Sequence, residues 1–146
     1  MTKKTADAFA AKHGQDSKEG VDAAIRTKLE KETREGTLSC AAAFTLVTDL
    51  NRTPAEIGKA ADLLGIRLVK CQLGLFGYSP EKKIVRPSAT VDPLLQEAIR
   101  GELQSGRLAC RNAWDLAKRF RLPRMAVSAA CEALGIKVKP CQLGAF

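Results

Sequence analysis

The sequence predicts a mainly helical protein with short β segments, built from two tandem three-helix units that are each followed by a short strand. Three observations carry this. The chain repeats itself at an offset of 70 residues, and apolar residues within each copy recur at helical spacing. Each copy also closes on a short, partly alternating segment ending Cys-Gln-Leu-Gly-x-Phe.

The repeat needs no gap. Residues 36–76 laid over 106–146 give 14 identities in 41 positions, among them Gly36/Gly106, Leu38/Leu108, Cys40/Cys110, Leu46/Leu116, Gly65/Gly135 and Gln72/Gln142. Two copies at so long a period indicate a duplicated small domain rather than a solenoid. The expected organisation is a flexible tail over 1–20, a first repeat over 21–77, a linker over 78–90 and a second repeat over 91–146.

The first helix of each copy follows from Val21, Ala24, Ile25 and Leu29, and from Val91, Leu94, Leu95, Ala98, Ile99 and Leu103. Asp92 before Pro93 is a start signal, an N-cap followed by proline at the first helical position. Glu35-Gly36 and Ser105-Gly106 are expected to end these helices, glycine taking the left-handed cap. The second helix is expected from about Ser39 to Leu50 and from about Ala109 to Phe120. Thr53, Pro54 and Glu56 then spell a capping box for the third helix, and Pro123 marks the same boundary in the second copy. The third helices end at Leu64-Gly65 and Leu134-Gly135. After them, residues 66–73 and 136–143 suggest strands, with Pro140 confining the second to an edge or a strand end. The two strands are expected to pair with each other, as in an internal pseudo-dimer. Leu73, Phe76, Leu143 and Phe146 are expected to fold over the three-helix cores. With the chain ending at Phe146, the second copy is expected to lack the second wing strand of a complete winged helix. Between the copies, GYSPEKKIVRPSAT has the prolines, turn residues and charges of a linker.

Net charge is +8, from 24 Lys and Arg against 16 Asp and Glu. Residues 29–77 are neutral, whereas 91–146 carry nine cations against five anions. Such a balance suits a polyanionic partner, nucleic acid first. No apolar run approaches the ~20 residues that span a bilayer, and the N-terminal stretch lacks the apolar core of a secretory signal. A cytoplasmic protein without membrane contact is expected.

Two short helices joined by a tight turn, the second with buried branched residues, form a pattern similar to the helix-turn-helix of DNA-binding proteins. Residues Trp114 to Gly135 resemble it best. Leu116 and Ala117 fit the apolar and small positions of the first motif helix. Leu122 fits the apolar position past the turn, and Val127 and Ala130 fit the buried face of the second helix. In the first copy Leu46, Val47, Ile57 and Ala60 fit, but Arg52 replaces the apolar residue past the turn. The usual turn glycine is replaced by Asn51 and Arg121, and arginine takes a left-handed conformation less readily than asparagine. The resemblance implies that the third helix enters the major groove of DNA. It implies that Arg124, Met125 and Ser128 meet base edges, with Arg111, Lys118, Arg119 and Arg121 reaching phosphates. The matching face of the first copy, Ala55, Glu56, Gly58, Lys59 and Asp62, carries two carboxylates that repel phosphate.

Five cysteines without a C-x-x-C pair lack the strongest metal or redox signature. Cys40, Cys71, Cys110 and Cys141 would form a four-thiolate ligand set if a pseudo-twofold axis brought them together. Cysteine also packs as a small hydrophobe, and Cys131 stands where the first copy has Ala61, which favours a core role. The only histidine, His13, lies in the tail, and no phosphate loop, dinucleotide fingerprint or acidic cluster is present. Neither catalysis nor a cofactor is expected. The expected function is a DNA-binding transcriptional regulator or other DNA-associated factor acting chiefly through the second copy. The rivals are a protein-interaction adaptor, using the first copy for a partner, and a thiol or metal sensor.

Overall fold

The computed structural model describes residues 20–146. The expected tail, His13 included, lies outside the described residues apart from Gly20. Among the described residues the protein is mainly helical, with a short two-stranded parallel sheet. The chain divides into two compact units. One runs up to Lys70 and adds Leu143–Ala145; the other comprises Cys71–Gln142 and adds Phe146.

The first unit contains α1 (Ala23–Glu32), β1 (Thr37–Ser39), α2 (Cys40–Leu50), α3 (Pro54–Leu63) and β2 (Arg67–Val69). Asp22 starts α1 by accepting hydrogen bonds from the Ala24 and Ile25 amides at 2.8 and 3.3 Å. The helix stops at Glu32, so Glu35-Gly36 is not its cap. Both residues have positive φ, 50° and 76°, between Arg34 and Thr37, whose backbones exchange two hydrogen bonds. That is the arrangement of a primed hairpin turn, for which glycine at the second position is well suited.

The turn leads into β1, a strand the sequence pattern does not announce because only Leu38 in it is buried. β1 pairs in parallel with β2, Leu38 opposite Leu68. The strand after the third helix is therefore taken by its own unit, which overturns the expected pairing of the two terminal strands with each other. Ser39 caps α2 through the Ala42 amide at 3.1 Å. The Thr53–Glu56 capping box of α3 forms with both bonds at 3.1 Å. Arg52, the departure from the apolar pattern, pairs with the Asp22 carboxylate at 3.2 Å and with Glu56 at 3.6 Å. It ties the α1 cap to the α3 cap where a hydrophobic residue would only pack. Leu29, Leu38, Ala43, Leu46, Ile57 and Ala61 are buried in this unit.

The second unit contains α4 (Pro93–Gly101), α5 (Cys110–Phe120) and α6 (Arg124–Leu134). Asp92 and Pro93 start α4 as the sequence predicts. Ser105 and Gly106 again form a positive-φ turn rather than a helix cap, with Gln104 and Arg107 exchanging two backbone hydrogen bonds. The expected strand shrinks to one parallel bridge, Leu108 to Val138. Pro140 has no amide hydrogen to extend the ladder.

The core of this unit gathers Leu95, Ile99, Leu108, Leu116, Val127 and Ile136. Cys71 and Leu73 belong to the same core, with Leu75 and Phe76 packed against it. The terminal motif of the first copy thus lies in the second unit, and Leu143, from the second copy's motif, lies in the first. Of the second copy's motif only Leu143–Ala145 join the first unit, while Cys141, Gln142 and Phe146 stay with their own. Lys70, at φ 52°, turns the chain off β2 just before Cys71. No helix among the described residues is long and apolar enough to cross a membrane.

Candidate nucleic-acid interface

Helix α5 has two faces. Ala113, Leu116 and Ala117 are buried, while Arg111, Asp115, Lys118 and Arg119 are exposed. Its end is closed by a Schellman arrangement. The Arg121 amide donates to Lys118 O at 3.2 Å and the Leu122 amide to Ala117 O at 2.8 Å. Arg121 sits at φ 55°, ψ 46°, the left-handed position that the helix-turn-helix pattern usually gives to glycine. Asn51 takes the same conformation, φ 51°, ψ 51°, at the end of α2. Three residues, Arg121 to Pro123, then separate α5 from α6.

This geometry brings Lys118, Arg119, Arg121 and Arg124 to the turn with all four side chains exposed. Arg111 lies one helical turn or more away. It shares with Arg119 a polar cleft of about 330 Å³ that Glu102, Asn112 and Asp115 also line. The two carboxylates offset the two guanidinium charges there, so the net positive field is strongest at Lys118, Arg121 and Arg124. Neither α5 nor α6 has a side-chain cap on its first turn, Ala109 and Pro123 standing at the cap positions.

The expected base-reading residues fare differently. Arg124 stacks over Trp114, its guanidinium carbon 3.6 Å from the ring centroid, and it donates a hydrogen bond to Oε1 of Gln72. Met125 is half buried, with its Sδ and Cε 3.1 Å from the place a Cβ would occupy on Gly74. Ser128 has no exposed surface at all. A fully buried side chain does not reach a base edge, so Ser128 leaves the reading set. In the first unit Gly58 and Asp62 are also buried.

Gln72 and Trp114 are the neighbours of Arg124 that sequence reasoning missed. Helical spacing assigns Trp114 to the core side of α5, and nothing in the spacing says that Gln72 meets α6.

Among the described residues, no group of three or more His, Cys, Asp or Glu is arranged to hold a metal ion. Cys40, Cys71, Cys110 and Cys131 are buried, and Cys141 is partly exposed. Burial pushes the Cys110 and Cys131 thiols up to about 11 and raises Cys71 as well. The Gln142 side-chain amide donates to Cys110 Sγ at 3.5 Å, which partly offsets that rise.

Compared with protein-family models, curated proteins and solved structures, the chain finds no significant match.

Proposed function

We propose that the protein is a DNA-binding factor of helix-turn-helix type, built as two tandem three-helix repeats of which the second faces DNA. The observation that carries the reading is the left-handed turn at Arg121. It joins two helices of 11 residues each in the manner of the motif and gathers Lys118, Arg119, Arg121 and Arg124 at one end. Arginine and lysine at such a corner suit phosphate contacts on either side of a groove, and arginine also suits guanine. The uncapped first turns of α5 and α6 add amide donors with the positive end of the helix dipole. The first repeat, neutral overall and with Arg52 committed to Asp22 and Glu56, supports rather than reads.

The test is binding to duplex DNA across a salt series. The four cations predict that log affinity falls with log salt at a slope of about −3 to −4, roughly 0.9 per phosphate contact. Lys118→Ala with Arg119→Ala should shallow the slope by about 2. Absence of binding at low salt would overturn the reading.

A further inference from the structure

The core-facing side of α6 is Val127, Ala130 and Cys131. At 100° per residue the opposite side is Met125, Ala129 and Glu132. In a helix-turn-helix that outward side faces DNA. Here another part of the same unit covers it along most of the helix. Gly74 meets Met125 at the first turn and Val85 sits against the same glycine, since a Cβ on Gly74 would lie 3.1 Å from both side chains. The Ser88 amide donates to Ala129 O at 3.1 Å in the middle of the helix. Lys83 pairs with Glu132 near its end. The cover is anchored to itself, because the Ile84 and Val85 amides both donate to Gly74 O, at 2.9 and 3.1 Å. Val85 is only 6% exposed. Gln72 completes the cover by holding Arg124.

We infer that residues 81–88, seated on Gly74 beside the Gln72–Arg124 hydrogen bond, form an autoinhibitory strap that closes the DNA-facing side of α6 until it lifts. The inference rests on the DNA-binding reading and deepens it. The segment is shaped for the task in two ways. It is fastened by a few polar contacts and one buried valine, rather than by a broad apolar face. Its charged residues Glu81, Lys82, Lys83 and Arg86 are exposed, so lifting strands no charge. A reader whose competent state is only fractionally populated binds with its affinity reduced by that fraction. Closure and DNA therefore compete for one face.

The experiment compares the wild-type chain with Val85→Asp and, separately, with Lys83→Glu. Val85→Asp puts a carboxylate in a buried site, and Lys83→Glu sets two carboxylates against each other at Glu132. Binding to a short random-sequence DNA duplex at low salt is the first readout. Oxidation of Met125 by dilute peroxide, relative to free methionine, is the second. A released strap predicts DNA binding about tenfold tighter and faster oxidation of Met125. Both substitutions lower the positive charge, which by itself weakens DNA binding, so tighter binding cannot come from charge. Equal or weaker binding by a folded variant, with wild-type binding intact, overturns the strap and leaves the DNA reading standing. No DNA binding by any form overturns both. Should Val85→Asp lose its helical circular dichroism, the exposed Lys83→Glu decides alone.

Discussion

The carbonyl oxygen of Leu143 lies 1.8 Å from the place a Cβ would occupy on Gly58, so the two backbones meet with no side chain between them. Gly58 stands inside α3, where alanine would gain about 1 kcal/mol of helix propensity. The contact decides the sign instead. Leu143 is 3% exposed, and expelling such a side chain forfeits about 1.5–3 kcal/mol. Gly58→Ala should therefore destabilise the protein by about 1–2 kcal/mol in urea unfolding. In a chain shortened after Gln142 the clash is gone and the same substitution should stabilise. A destabilisation of equal size in both chains would refute the contact.

Arg121 gives a second prediction that separates stability from binding. A left-handed residue with a side chain is strained by about 1–2 kcal/mol, and glycine relieves that strain at a smaller entropic cost. Arg121→Gly should raise the unfolding temperature by a few degrees, an increment of roughly 0.5–1 kcal/mol. The same change removes one candidate phosphate contact, so DNA affinity should fall while stability rises. Asn51→Gly, at the matching turn of the neutral unit, should stabilise without changing affinity. A drop in stability for Arg121→Gly would mean that the arginine side chain supports the turn.

These residues also mark what the sequence made legible. The capping box at Thr53, the cap at Asp92 and the third-helix ends at Gly65 and Gly135 are local events, decided by residues within one turn of each other. Their signals survive in the chain. Glu35-Gly36 was ambiguous for a physical reason: glycine with positive φ serves helix caps and hairpin turns alike, and the exchange of bonds between Arg34 and Thr37 decides between them. The placement of Leu73 and Leu143 was not legible. Apolar spacing says that a residue is buried but not in which of two similar cores, and duplicated units offer both. The same ambiguity hid the cover on α6. Met125, Ala129 and Glu132 carry no signal of what lies over them, and the sequence of 78–90 reads as a linker because its one buried residue, Val85, is isolated.

The thiols yield a prediction on the alkaline side. The ordinary value is 9.0, and burial moves Cys110 and Cys131 up to about 11. The folded state thus prefers the protonated thiol. Stability from this preference is fully present below pH 9 and is lost as pH rises from 9 towards 11. Unfolding curves should weaken across that window, and Cys131→Ala, which copies Ala61, should shallow the decline. Iodoacetamide at about pH 8 should label Cys141 before the four buried cysteines, because the thiolate must be reachable to react. Mass spectrometry that finds Cys110 or Cys131 labelled first would contradict their burial.

Ser128 is 0% exposed and its hydroxyl has no hydrogen-bond partner among the described residues. A buried hydroxyl left unsatisfied costs about 1–3 kcal/mol, and alanine is also the better helix former. Against this, alanine leaves a gap of one oxygen atom, smaller than the methyl-sized voids that cost about 1 kcal/mol. The balance favours Ser128→Ala by about 1 kcal/mol, read as a higher urea midpoint with an unchanged slope. The substitution also tests the DNA reading at a single atom. If the hydroxyl touched a base, its loss would relax sequence preference at one position, worth about 1–3 kcal/mol of discrimination. Burial predicts instead that Ser128→Ala leaves sequence preference as it was, while Arg124→Ala alters it. A stability loss in Ser128→Ala would show that the hydroxyl is bonded in solution, and a change in preference would show that α6 binds DNA with the helix turned.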